Sequence, residues 1–482
     1  MIRNYYNPFQ FLLSIVLIVV TAGCDIEDIA PGVEKLPTVT TSPKIEVAST
    51  NVASVDSSPI PTIECPVITQ MILPTVAEDY NSRKHYFFDS VGGSDSNTGI
   101  EPDQAWKSLD YLNSINFKPG DVVYLKRGSI WTGTLLVWAS GKEGHPIIFS
   151  SYGDSGPPPE FRNPGNANNL TNAIRVNGDW VIIENIKVQD ARLAGVYISN
   201  TGDHNVIRNI EATQVGQGIS VHGQFNQILG NYIHDLTMVR NTEGGNDDHG
   251  AVGVWLFNSD NEVAYNRLIN LKAPSFDYGE DGGAVEFYKN VNNSYVHHNY
   301  ANNTKGFIEI GGGSAQDNVI AYNLIVNSGR ALGLHLAGKF GSRISNLRFE
   351  HNTIVDTTEE GFHAAILFNG DLPSPETLII RNNIFYLLNF GKLASNIKDG
   401  SEFTHDHNLF YLPGGDLGIL TGFGEVEADP GFVNLDCRDF RLSKESPAIN
   451  SGMDLGYTQD FTGNPVPFGI TSDLGAFENQ GD

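Results

Sequence analysis

The chain has 482 residues, of which 18% are charged and 51 are glycine, and its formal net charge is −26. That charge excludes binding to nucleic acid or to an anionic membrane surface through bulk electrostatics, and an anionic ligand would need a local basic patch or a bound cation. The length supports a large core, and many glycines with few charges suit a turn-rich β protein.

Residues 1–24 have a weakly positive tip, an apolar run from Phe11 to Val20 and small residues before Cys24. This is the layout of an export signal. The ending Thr21, Ala22, Gly23, Cys24 resembles a bacterial lipobox, although Thr21 stands where Leu or Val is more usual. The resemblance implies an exported protein, lipidated at Cys24 and anchored at the bacterial membrane or cell surface. Residues 25–83 are rich in Ser, Thr, Pro, Val and Glu with no sustained periodicity, which predicts a disordered tether. Cys65 lies in that tether and Cys437 near the end. An exported protein can pair them, and two free thiols is the equal alternative.

Downstream, an apolar strand and an Asn-centred strand alternate repeatedly. The first series includes GVYIS at 195, GISVH at 218, GVWLF at 253, AVEFY at 284, FIEIG at 307 and LGLHL at 332. The second centres on Asn209, Asn231, Asn266, Asn299, Asn323, Asn352 and Asn382, with steps of about 22 to 35 residues. Units this short cannot bury their own apolar face, so they must stack on one shared core. Helical solenoids need longer segments of period 3.6, whereas these runs have period 2 and are rich in Val, Ile, Tyr and Asn. A parallel β-helix fits. The recurring Asn is read as a structural corner residue, tolerant of left-handed backbone angles and able to bond the same amide one coil away.

The segment His85 to Gly153 contains a strand, a GSDSNTG turn, a helical stretch over Gln104 to Ile115 and a PGD turn at Pro119–Asp121. It resembles the opening of right-handed parallel β-helix proteins of the pectate lyase-like superfamily, and Asp429 to Glu478 resembles their closing segment. The resemblance implies an all-β right-handed solenoid over residues 84–478, with the short helix plugging its open end. It does not name a reaction, because lyases, hydrolases, epimerases and non-catalytic surface proteins share the fold.

Alternation within strands gives an outward column. Aligning the inward apolar pairs places Ser220, Trp255, Glu286, Glu309 and His335 above Tyr197. Two neighbouring ionised glutamates would repel, and a shared proton, a cation or a paired base would relieve them. The intervals before Asn266 and Asn299 are long. Their extra residues carry Glu243, Asp247, Asp248 and His249 in one loop, and Lys272, Asp277, Tyr278, Glu280 and Asp281 in the other. Such loops should wall a cleft over Trp255 and Glu286.

Aromatic faces at Trp255, Tyr197 and Tyr288 suit pyranose rings, and His249, Lys289, Arg330 and Lys339 are candidate substrate contacts. Glycoside hydrolysis needs a proton-donating acid and a second carboxylate. Glu286 and Glu309 fill those roles, Asp281 is the reserve carboxylate, and His335 tunes the acid. The rival is a calcium-assisted polysaccharide lyase or uronate epimerase, with Asp247, Asp248, Asp277 and Glu280 as calcium ligands. VEFYKN at 285 resembles the Glu and Lys region of the alginate lyase and chondroitinase B group, but Glu309 follows where that group places a positive side chain. The hydrolase reading requires no cofactor. A third reading is a non-catalytic carbohydrate-binding surface protein. In each, the expected partner is a polysaccharide bound by a monomer.

Overall fold

The structure, a computed structural model, describes residues 83–166, 169–359, 364–395 and 403–481. The export signal, Cys24, the tether and Cys65 lie outside these residues. Cys437 is disulfide-bonded, and the chain's other cysteines both fall outside the described residues.

Among the described residues, strands of two to nine residues wind into three long parallel sheets of 12, 11 and 12 strands. Each coil contributes one short strand to each sheet: Val206–Arg208 is followed by Glu211–Thr213, then Gln217–Val221, and Gln227–Leu229 opens the next coil. The result is the right-handed parallel β-helix expected from the repeat. Alternation fills it. Val196, Ile198, Ile219, Val221, Val254, Leu256, Val285, Phe287, Ile308 and Ile310 point inward and are buried in one continuous core. Because each rung lies ~4.8 Å from the next, identical positions stack into columns.

The corners are columns of left-handed residues. One runs through Trp180, His204 and Phe225 (φ 55°, 57° and 57°), another through Tyr265, His298, Tyr322 and His351 (φ 59°, 53°, 51° and 52°). Bulky side chains rarely adopt these angles. Here ring stacking offsets the strain, with Trp180 on His204 at 4.3 Å and Tyr322 on His351 at 4.6 Å.

The recurring Asn bonds the same amide one coil away, as expected, but is mostly not itself the left-handed corner residue. The left-handed residue is usually the one before it, and the Asn itself points into a buried ladder. The Nδ2 of Asn266 donates to Asn299 Oδ1 at 2.9 Å, and that of Asn299 to Asn323 Oδ1 at 3.0 Å. The same oxygens accept the backbone N–H of the preceding coil. Two members are corrected. Asn383, not Asn382, continues the ladder through Asn352 and Asn408, while Asn382 is left-handed and bonds Met453. Asn209 is also a left-handed corner residue, and Ile210 occupies its coil's ladder position.

The helix is shorter than expected, Leu109–Ser114, because Pro102–Gln104 forms a separate 3₁₀ turn. The Ser108 hydroxyl caps it by accepting from Tyr111 N, and Leu112 is buried in the main core. Among the described residues, no helix is long and apolar enough to cross a membrane.

The closing segment, from Asp429 onward, folds back over the outside of the solenoid. Phe440, Phe461 and Phe477 bury against Tyr300, Leu324, Val355 and Tyr386. His298 Nε2 bonds the Asp460 carbonyl at 3.0 Å, and Tyr457 donates to Glu350 at 2.5 Å.

Candidate active site

The 11-stranded sheet carries the column read from the sequence. Tyr197 pairs with Ser220, Ser220 with Trp255, Trp255 with Glu286, and Glu286 with Glu309. One member is misplaced. The strand after Glu309 pairs Leu332 and Leu334 with Ile308 and Ile310, so Gly333 sits beside Glu309. His335 lies two residues further along, outward and beside Asn369. It still reaches back, because Gly333 has no side chain in the way: His335 Nε2 and Glu309 Oε1 are 2.8 Å apart.

The two long intervals form small hairpins. Met238–Arg240 pairs with His249–Gly250, and Ala273–Ser275 with Gly279–Asp281. They are joined side by side through Asn241, which donates to Pro274 O at 2.9 Å and accepts from Phe276 N at 3.0 Å. The second hairpin delivers Asp281 to the strand bearing Glu286. The first delivers His249, whose ring lies 6.2 Å from Trp255. Trp255 also meets Tyr288 at 6.0 Å and Phe257 at 5.0 Å.

Electrostatics separate the three acids. Glu286 has no hydrogen-bond partner among the described residues. Dense surroundings, then repulsion from Glu309 and Asp281, raise its pKa well above the ordinary carboxyl value. It nevertheless keeps partial contact with solvent. Burial likewise pushes Asp281 up to about 6, helped by Glu309 and Asp248 and opposed by a Gly282 N–H bond and by Lys305. Glu309 holds the His335 bond.

Asp247, Asp248 and Asp277 converge, with ligand atoms all within 4.8 Å of one another. Most of their oxygens already accept hydrogen bonds from the protein. Asp277 Oδ2 accepts the N–H of Asp247 at 2.8 Å and of Asp248 at 3.2 Å. Asp248 accepts Thr242 N on one oxygen and Ser275 Oγ and Asp277 N on the other. Arg240 pairs with Asp247 at 2.5 Å. Burial pulls the Asp248 carboxyl up, but these bonds outweigh it and hold its pKa below the ordinary value. Calcium takes six to eight oxygen ligands, of which this trio supplies a few at most, and the same carboxylates tie the two hairpins together through the protein's own donors. Glu280 stands apart, 3.7 Å from Lys272.

The cationic candidates scatter. Lys289 lies over the Phe257 ring at 5.6 Å, and Lys339 over Phe340 at 5.0 Å. Arg330 enters the strand after Glu309 with no side-chain hydrogen bond or ion pair among the described residues. The sequence reading missed His222, Phe257 and Arg175. His222 and Phe257 point outward two residues beyond Ser220 and Trp255, and tracking that second position would have found them.

No family model matches the chain, and no curated protein matches it. Among solved structures it is similar to a pectate lyase, Pel9A, with TM-score 0.54 and 17% identity, covering 82% of this chain and 97% of that one. It is also similar to a GH136 lacto-N-biosidase from Eubacterium ramulus, with TM-score 0.50 and 16% identity over 72% of this chain and 67% of that one. A rhamnogalacturonan lyase gives TM-score 0.51 and 13% identity over 73% and 91%. At these identities the likeness establishes the pectate lyase-like fold.

Proposed function

We propose that this chain is a polysaccharide-degrading glycoside hydrolase, exported and lipid-anchored through Cys24. Glu286 protonates the leaving oxygen, and Glu309 acts as the second carboxylate, attacking the sugar or activating water. One observation carries this reading: an unpartnered carboxyl at the centre of the column has its pKa raised well above the ordinary value by burial and by two acidic neighbours, the direction in which a general acid is tuned. The His335 bond orients Glu309 for its part. Trp255 and Tyr288 offer ring faces to the sugar, and the joined hairpins narrow the cleft above it.

The names of the similar structures include both lyases and a biosidase, so the reaction rests on the site itself. Elimination from a uronate calls for a positive group at the reacting carboxylate. Here that place holds Glu286, Glu309 and Asp281, and the candidate cation cluster is taken up by protein donors. Three converging acids under two hairpins also exceed what a binding surface requires.

The test is incubation of the purified protein with a polysaccharide panel and inspection of the ends released. Saturated reducing ends, lost in Glu286→Gln and in Glu309→Gln with folding retained, support hydrolysis. Unsaturated uronate ends absorbing in the ultraviolet eliminate it in favour of the lyase.

A further inference from the structure

Beside the acids, the same sheet carries a feature that glycosidic cleavage does not require. Arg175 lies 4.9 Å over the Tyr197 ring. Tyr197 packs on His222 at 4.6 Å, and His222 stacks on Phe257 at 4.1 Å with planes 11° apart. Lys289 then reaches back over Phe257 from the strand of Glu286. Three rings on successive rungs are thus bracketed by two cations.

Both cations are without a carboxylate partner among the described residues, in a chain where acids far outnumber bases. Arg175 has only the Asn177 amide, at 3.2 Å from its Nε. Their fields converge on one ring: burial, then Lys289 and Arg175, lower the His222 pKa to about 4, leaving the imidazole neutral. Its Nε2 lies 3.1 Å from Ser220 Oγ. Two cations without a carboxylate, at either end of one row of rings, give this strip of an acidic protein a local positive field that suits an anionic ligand. The rings supply flat apolar area for a sugar in the same place.

We propose that Arg175, Lys289 and the Tyr197–His222–Phe257 platform form a subsite for an anionic sugar residue, carrying a carboxylate or a sulfate. The His222 rung lies two rungs, ~10 Å, from that of Glu286, a span of about two pyranose units. Glu309 and Asp281 repel an anion at the point of cleavage, while the platform attracts one. The substrate is therefore a mixed polysaccharide, uncharged where it is cut and charged about two units away. This inference rests on the hydrolase reading only for the position of the cut.

The test is a glycan array of neutral, uronate-containing and sulfated oligosaccharides, probed with the unaltered protein and with Arg175→Gln, Lys289→Gln and Glu286→Gln, each first checked for unchanged thermal unfolding. Acidic glycans should be retained by the unaltered protein and by Glu286→Gln, lose about tenfold in affinity in each cation variant, and weaken as salt rises. Preference for uronate over sulfate, or the reverse, names the anion. Retention of neutral glycans alone, no retention at all, or acidic glycans held equally by the cation variants overturns the subsite. If acidic glycans depend on Arg175 and Lys289 while Glu286→Gln keeps full cleavage activity, the hydrolase assignment falls and the subsite stands.

Discussion

Glu286 and Glu309 are direct partners on adjacent strands, yet only Glu309 is hydrogen-bonded, to His335. The pair is chemically unequal although the residues are identical. Glu286→Gln should cut turnover by about 10²–10⁴-fold, the usual share of a general acid. It should also stabilise the fold at neutral and alkaline pH. A carboxyl whose folded pKa is raised contributes its stability below the unfolded value and loses it as pH rises through the folded value. Thermal unfolding at acidic and at alkaline pH checks this: the variant's advantage should grow with pH.

Asp281 is one of the two charges that keep the proton on Glu286. Asp281→Asn removes that repulsion, so the Glu286 pKa should fall and the alkaline limb of the kcat/KM profile should move to lower pH. A limb that stays in place would show that another group is the acid.

His335→Ala removes the bond that orients Glu309. Turnover should drop by about 10–100-fold with little change in stability, because the pair is partly exposed to solvent. Steady-state kinetics with a parallel thermal melt separate the two effects.

The Asp247–Asp248–Asp277 lock makes two claims. Chelators should leave activity intact, since protein donors already engage these carboxylates. Asp248→Ala should loosen both hairpins at once, freeing the N–H groups of Thr242 and Asp277 and the Ser275 hydroxyl, and should raise KM more than it lowers kcat. Activity abolished by a chelator would sink the first claim.

Asn299→Ala should destabilise by about 2–4 kcal/mol, because it leaves the backbone N–H and one of the two side-chain N–H bonds of Asn266 buried without an acceptor, the other still reaching Ile228 O. Denaturant unfolding measures it.

The pairing of Glu286 with Glu309 was legible because AVEFY and FIEIG each allow one inward apolar pair. LGLHL allows two, Leu332 with Leu334 or Leu334 with Leu336, and the sequence gives no reason to prefer the first. The real register puts the side-chain-free Gly333 in the column and leaves His335 to reach diagonally. The ladder slipped by one at Asn382 for a similar reason: two adjacent asparagines compete, and which one turns left-handed depends on the closing segment that bonds it. His222 lies outside the predicted column because a strand exposes more than one residue and the alternation was followed only at the first, whereas Arg175 pairs with Tyr197 in that very column, one coil before the recurring phrase begins.

The returning closing segment has a consequence for how the molecule comes apart. In a simple solenoid each coil knows only its neighbours, so the stack can open one coil at a time from either end. Here Asp460 bonds His298 and Ala476 bonds Thr353, fastening coils that are not adjacent in the stack. The later coils must therefore melt as one block, while the amino-terminal coils, which lack such hydrogen bonds to the closing segment among the described residues, are free to exchange their amide protons first.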